Sequence, residues 1–243
     1  MNSNPPKNIV VIGASGGIGS ALIDHYSERS PDSLTAAARD MLPPRSGVAN
    51  CKVDITNEDQ LSRLADDLRS RGIAPDLVIV ATGILSDKSG LRPEKSYRQQ
   101  DLAAFQKVFE INTIGPALVA KHLLPIMPRK GRGVFAALSA RVGSIRDNGL
   151  GGWHAYRASK AALNMLIRNY AIEMARSNEA MICVGLHPGT VRTALSDPFA
   201  ANIPDSSLFE TAQSAAYLAD VVDRLSPGDS GRVFDWKGEE IPS

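Results

Sequence analysis

Tyr156 and Lys160 stand four positions apart in the run Tyr156-Arg-Ala-Ser-Lys160, and Ser139 lies upstream at the end of an apolar, strand-sized run. Residues at i and i+4 share one face of a helix, so a helix here projects the phenol and the ammonium together. A free tyrosine titrates near roughly 10, too high for ready proton exchange at neutral pH. A neighbouring ammonium favours the phenolate, and a fall of roughly two to three pH units would bring Tyr156 into the useful range for acid–base work. Ser139 can donate a hydrogen bond to a carbonyl oxygen on which negative charge develops. Together these residues predict proton exchange at a carbonyl or alcohol oxygen. Each piece alone is commonplace: Tyr-x-x-x-Lys arises by chance in many helices, and serine often ends a strand.

A second constellation lies near the start of the chain. An apolar run at 9–12 leads into Gly13-Ala-Ser15-Gly-Gly17-Ile18-Gly19, inside which a helix is expected to begin. Glycines allow a tight turn and bring backbone N–H groups close to a pyrophosphate, whose charge also suits the positive end of a helix. Flavin, nucleotide and methyl-donor proteins use similar turns, so the turn alone does not choose among them.

These side chains need elements to position them, and the chain supplies an alternation. Apolar runs at 9–12, 33–38, 49–53, 76–80, 133–138, 180–186 and 231–235 are separated by helix-length stretches at 17–29, 57–71, 101–124, 154–176 and 208–225. Strands apolar on both faces suit a sheet covered on each side by helices. Such alternation implies right-handed crossovers and a doubly wound parallel sheet. The expected fold is therefore a Rossmann-type α/β domain of about seven strands with helices on both faces, spanning 1–243. Thr56 is expected to cap the helix that follows it. The segments 86–100 and 188–207 break the rhythm. In this architecture ligands bind beyond the carboxyl ends of the strands, so these segments are expected to wall a substrate site, with 188–207 as a lid that orders on binding.

Composition narrows the partners. Apolar residues make up 43% of the 243-residue chain and charged residues 22%, enough for a sizeable core in a globular protein. A formal net charge of +1 argues against nucleic acid or a membrane surface held by bulk electrostatics. Cys51 and Cys183 fall in separate apolar runs and read as core filler; no metal site is expected. No apolar run approaches the roughly 20 residues of a membrane span, and the first residues lack the form of a signal peptide, so a cytoplasmic location is expected.

The spacing Gly-x-x-x-Gly-x-Gly of Gly13, Gly17 and Gly19, taken with Ser139 and Tyr156-Arg-Ala-Ser-Lys160, resembles that of the short-chain dehydrogenases/reductases, over nearly the whole chain. The resemblance implies a nicotinamide dinucleotide held by Gly13, Ser15, Gly17, Ile18 and Gly19. It assigns catalysis to Ser139, Tyr156 and Lys160, the lysine also holding the nicotinamide ribose. Asn112 matches the family's helix asparagine, which positions a water relaying protons to the lysine. Asp54 and Ile55 would lie against the adenine, the Asp54 carboxylate at its amino group; a strand-end Asp can equally cap the next turn. Gly83 survives where the family has Asn-Asn-Ala-Gly, and carries over only a backbone role. Pro188, Gly189, Val191 and Thr193 match the Pro-Gly motif that passes the nicotinamide. His187 is expected to be a strand-end hydrogen-bonding residue.

The second strand ends in Ala38-Arg39-Asp40, where an acid would accept from a ribose hydroxyl and an Arg can pair with a 2′-phosphate. Ala38 at the acid position followed by Arg39 is similar to NADP-preferring carbonyl reductases of the family, so NADP is expected, with NAD possible through Asp40. The stretch Arg141-Val-Gly-Ser-Ile-Arg146-Asp147-Asn-Gly-Leu-Gly-Gly-Trp153, with Lys160-Ala-Ala-Leu-Asn164 behind it, resembles the C-factor-type subgroup, named for a bacterial cell–cell signalling protein. Trp153 would wall the substrate pocket or pack beneath the loop; Arg146 and Asp147 would form an exposed pair or set specificity. Family members form homodimers or homotetramers through their long helices, here 101–124 and 154–176. The leading function is reversible reduction of a small carbonyl compound. The alternatives are a cofactor-binding signalling protein with incidental catalysis and a methyl-donor-dependent transferase, which would need no Ser–Tyr–Lys set.

Overall fold

Strand β1 (Asn8–Ile12) is apolar on both faces, and its alternation divides the core. Ile9 and Val11 enter one apolar layer, with Leu22, Ile23 and Tyr26 of α1 (Gly17–Ser27) and Leu218, Ala219 and Val222 of α6 (Thr211–Arg224). Val10 and Ile12 enter the opposite layer, with Leu61 and Leu68 of α2 (Glu58–Ser70), Val119 and Leu123 of α4 (Gly115–Leu123), and Leu163 and Ile167 of α5 (His154–Ala175). Full burial of each such side chain contributes about 1.5–3 kcal/mol, which is why a strand with two apolar faces acquires helices on both.

The computed structural model describes residues 5–196 and 208–243. The main sheet contains β2 (Ser33–Ala38), β3 (Val48–Lys52), β4 (Leu77–Val80), β5 (Gly133–Leu138), β6 (Met181–His187) and β9 (Val233–Asp235) besides β1. The order is β3-β2-β1-β4-β5-β6-β9 and every pairing is parallel. The expected seven-stranded, doubly wound α/β architecture is what forms. Strand order reverses between β1 and β4, so the crevice lies at their carboxyl ends. Cys183 is buried in the α5-side layer and Cys51 packs against it. No helix among the described residues is long and apolar enough to cross a membrane.

Three local expectations change. Asn57, rather than Thr56, caps α2, its side chain accepting from the Gln60 N–H; Thr56 instead donates to Asp54 Oδ1 at 2.8 Å. The helix expected at 101–124 is α3 (Leu102–Phe109), a π-helical turn (Glu110–Ile114), α4 and a 3-10 turn (Leu124–Ile126). Leu208–Phe209 is not helical but forms β8, which pairs in parallel with β7 (Thr190–Val191) in a separate small sheet. Of the expected lid, residues 197–207 lie outside the described residues.

Candidate active site

The glycine-rich turn joins β1 to α1. Gly13 is left-handed (φ +88°), and a side chain there would meet Thr82 and the Ala81 backbone; one at Gly19 would overlap the Gly13 carbonyl. Strand and helix can approach this closely only without those side chains. The α1 N-terminus has no side-chain cap and no acid in its first turn, so its positive end is left for an anion. Thr82 Oγ1 is buried beside this turn without a partner among the described residues. These features fit a dinucleotide pyrophosphate. Gly17 faces the methyl of Thr193, so the Pro188–Thr193 segment borders the same space. Pro188 is anchored through its carbonyl by the Ser214 hydroxyl (2.9 Å), and Val191 is buried.

Around this core the expected contacts divide. Arg39, at the end of β2, is exposed and makes no ion pair among the described residues, while Arg45 is engaged by Asp24 (2.9 Å) and Ser20. Asp54 Oδ1 accepts from the Thr56 N–H and hydroxyl, so it organises the β3–α2 turn. Ile55 is buried against Gly115.

Ser139, Tyr156 and Lys160 converge. Ser139 extends the β5–β6 ladder, its N–H donating to Leu186 O (2.8 Å). Tyr156 and Lys160 lie on one face of α5, and the lysine Nζ donates to Leu138 O (2.8 Å) while standing 5.8 Å from the Tyr156 ring centroid. All three are buried. The Tyr156 ring belongs to an apolar cluster with Leu85 and Ala140, flanked by Val142, Trp153 and Leu195; Trp153 meets it edge-on at 6.3 Å. Trp153 therefore walls the tyrosine.

Burial reverses the expected direction of the Tyr156 pKa. It pushes the phenol up to about 12 and the Lys160 ammonium down to about 8. Withdrawal from water disfavours each charged form, and this burial sets both directions. Tyr156 is thus held as the neutral phenol at pH 7.

Asn112 lies in the π-helical turn and is completely buried. Its amide accepts from Ile84 N–H (2.8 Å) and donates to Ile84 O (2.9 Å) and Ser159 Oγ (3.2 Å). The side chain therefore ties the β4 loop to the helix. A Cβ at Gly83 would lie 3.6 Å from Asn112 Oδ1 and 3.7 Å from Lys160 Nζ, so Gly83 borders both groups.

His187 Nδ1 is buried without a partner among the described residues. Burial, reinforced by Arg141, lowers its pKa to about 4, so it is neutral near pH 7. Asp147 pairs with Arg141 (2.9 Å), not with Arg146, and Arg141 also reaches Asp235 (3.3 Å).

Two contacts escape the sequence reading. Ser139 Oγ donates to Asn164 Oδ1 at 2.6 Å; the clue was that Asn164 continues the i, i+4, i+8 stripe of Tyr156 and Lys160. Glu94 is a buried carboxylate bonded to the start of α5. No local pattern signals it, because its partner is 61 positions away.

A crossover sheet, a glycine-rich turn at its switch point and a buried Ser–Tyr–Lys group define a nucleotide-dependent oxidoreductase class. The sequence pattern of the family described as short chain dehydrogenase matches residues 7–203, and the chain belongs to that family of NAD(P)-dependent oxidoreductases. It is 30% identical to a 1-hydroxy-2-glutathionyl-2-methyl-3-butene dehydrogenase of Rhodococcus sp. (strain AD45), over 93% of this chain and 95% of that protein. It is 37% identical to the C-signal of Myxococcus xanthus over 58% of this chain and 80% of that one. The fold is similar to that of an NADPH-bound carbonyl reductase from chicken fatty liver, with 25% identity and a TM-score of 0.84 over 98% of this chain and 100% of the other.

Proposed function

We propose that this chain, working as one domain, is an NADP(H)-dependent reductase that interconverts a small carbonyl compound and its alcohol. The observation that carries the reading is the convergence of Tyr156, Lys160 and Ser139 in a buried site lined by Leu85, Ala140, Val142 and Trp153. Gly13, Ser15, Gly17, Ile18 and Gly19 would cradle the pyrophosphate, Asp54 and Ile55 the adenine end, Gly83 the ribose side, and Pro188, Gly189, Val191 and Thr193 the carboxamide end. Arg39, exposed and without an ion-pair partner among the described residues, would pair with the 2′-phosphate. The nicotinamide supplies or accepts the hydride when bound.

The protein's share is proton handling and position. Tyr156 as a neutral phenol is in the form that donates a proton to the oxygen of a carbonyl being reduced. Ser139 donates to the same oxygen and stabilises its developing charge. Lys160, still largely protonated at pH 7, orients the ribose and favours return of the tyrosine proton. Asn112 keeps the β4 loop and the catalytic helix in register.

NADPH consumption, compared with NADH over a panel of aldehydes and ketones, tests the proposal. Turnover should prefer NADPH and fall roughly 100-fold or more in Tyr156→Phe. Turnover that survives this substitution sinks the assignment. The similarity to the C-signal supports a second reading, a cofactor-binding signalling role. That role would persist in a Tyr156→Phe protein that still binds nucleotide.

A further inference from the structure

The catalytic helix begins in an unusual way. Gly151, Gly152 and Trp153 all have left-handed backbones, with φ of +64°, +66° and +51°. Two of these are glycines, which adopt that region freely; Trp153 is not, and a bulky residue stays there only where its surroundings over-determine it. Trp153 is also the N-cap of α5, and its side chain caps nothing; no acid lies in the first helical turn.

One residue from the β4–α3 segment supplies what the helix start lacks. Glu94 is 5% exposed although it is a carboxylate. Its backbone carbonyl accepts from the Trp153 N–H at 2.5 Å. Its carboxylate accepts from the Ala155 N–H, which lies 3.3 Å from both oxygens. The anion sits at the positive end of the helix and satisfies an otherwise orphan donor. The Gly152 backbone runs so close that a side chain there would come within 3.3 Å of the Glu94 carbonyl. The clamped segment carries Trp153 against one side of the Tyr156 ring, and Tyr156 directly follows Ala155.

We propose that Glu94 is a positioning residue for Tyr156: by capping α5 from the β4–α3 segment and holding Trp153 left-handed, it sets where the tyrosine and its aromatic wall stand. The proposal rests on the reading of Tyr156 as the acid/base. It adds that the segment lining the substrate side and the helix bearing that acid are fixed to each other through one buried carboxylate.

The chain has two tryptophans, so Trp236→Phe leaves Trp153 as the sole fluorescent indole. In this background Glu94→Gln retains an acceptor of the same shape, and Glu94→Ala removes it. Glu94→Ala should shift Trp153 emission to the red and increase its quenching by acrylamide. It should also lower kcat for the carbonyl that the background protein reduces about 100-fold, as expected for a displaced reacting group. The KM for NADPH should change little, because the glycine-rich turn is elsewhere. Glu94→Gln should restore both the fluorescence and most of kcat. Unchanged Trp153 fluorescence in Glu94→Ala, unchanged kcat, or a Gln variant as impaired as Ala overturns the proposal. If the background protein reduces no carbonyl, or does so without Tyr156, the reductase reading fails instead, and the fluorescence series alone decides whether Glu94 holds the helix start.

Discussion

Lys160 is 2% exposed, and its ammonium donates to the Leu138 carbonyl rather than to a carboxylate. Burial lowers its pKa from 10.5 to about 8, a penalty on the order of 3 kcal/mol at about 1.4 kcal/mol per tenfold change in proton affinity. Below pH 8 folded and unfolded chains both carry the proton, and the whole penalty stands. Between pH 8 and 10.5 the unfolded chain holds more protons, so this group makes stability rise with pH. Cys183 and Tyr156, both raised to about 12, work the other way above about pH 9 and pH 10 respectively, as the unfolded chain loses its protons first. The clean measure is therefore the difference between the wild type and Lys160→Met. Urea midpoints from pH 7 to 10 should show the wild type gaining relative to the variant, and parallel curves would refute the assignment. Asn164 supplies a second prediction at this scale. A carboxylate there can only accept, so Asn164→Asp should hold the Ser139 proton and lower kcat roughly 100-fold, the order seen when one donor to a developing oxyanion is lost. Asn164→Ala should be milder, because it releases the hydroxyl; the reverse ranking would contradict this account.

The π-helical turn at Glu110–Ile114 is the element most closely tied to the site. Its wider turn places Asn112 where both ends of the amide pair with the Ile84 backbone, as a neighbouring strand would. Asn112→Ala orphans a buried donor and acceptor, each costing about 1–3 kcal/mol, so the urea midpoint should fall substantially with an unchanged m-value. A loss below about 0.5 kcal/mol, the range of an ordinary surface substitution, would show that Ile84 finds other partners. The turn also marks where reading from sequence stops. Hydrophobic alternation located all seven strands of the main sheet and the long helices, because burial on both faces leaves a pattern in neighbouring residues. Tyr156, Lys160 and Ser139 were legible through order and spacing. The π turn was not, since one extra residue in a helix barely disturbs its periodicity. Glu94 was invisible for a different reason: a buried carboxylate looks like any surface glutamate until its distant partner is known. The direction of the Tyr156 pKa was misjudged because spacing reveals a neighbouring charge but not how far both groups are withdrawn from water. Thr56 and Asn57 are both good caps, and only the backbone chooses between them.

Across the whole molecule, the cleft proposed for the nucleotide joins elements far apart in sequence: the turn after β1, Thr82 after β4, and Thr193 after β6. A ligand bridging them binds only the folded chain and stabilises it by mass action, about 2.7 kcal/mol at one hundred times its Kd. Melting temperature should therefore rise with NADP concentration, and rise further than with equimolar NAD; Arg39→Ala should narrow that gap. Equal shifts with both nucleotides would remove Arg39 from the 2′-phosphate.

The strand order has a consequence for how the chain is made. β2 and β3 extend the sheet to one side of β1, then β4, β5, β6 and β9 extend it to the other, each in turn. No strand has to be wedged between two already paired. A chain emerging from the ribosome can therefore build its sheet outward from the first strand synthesised, keeping one open edge ready for the next arrival. The three residues of β9 close the series, and with them Asp235 reaches Arg141. Pairing of β9 thus completes the sheet and pins the loop leading from Ser139 to α5 in one step.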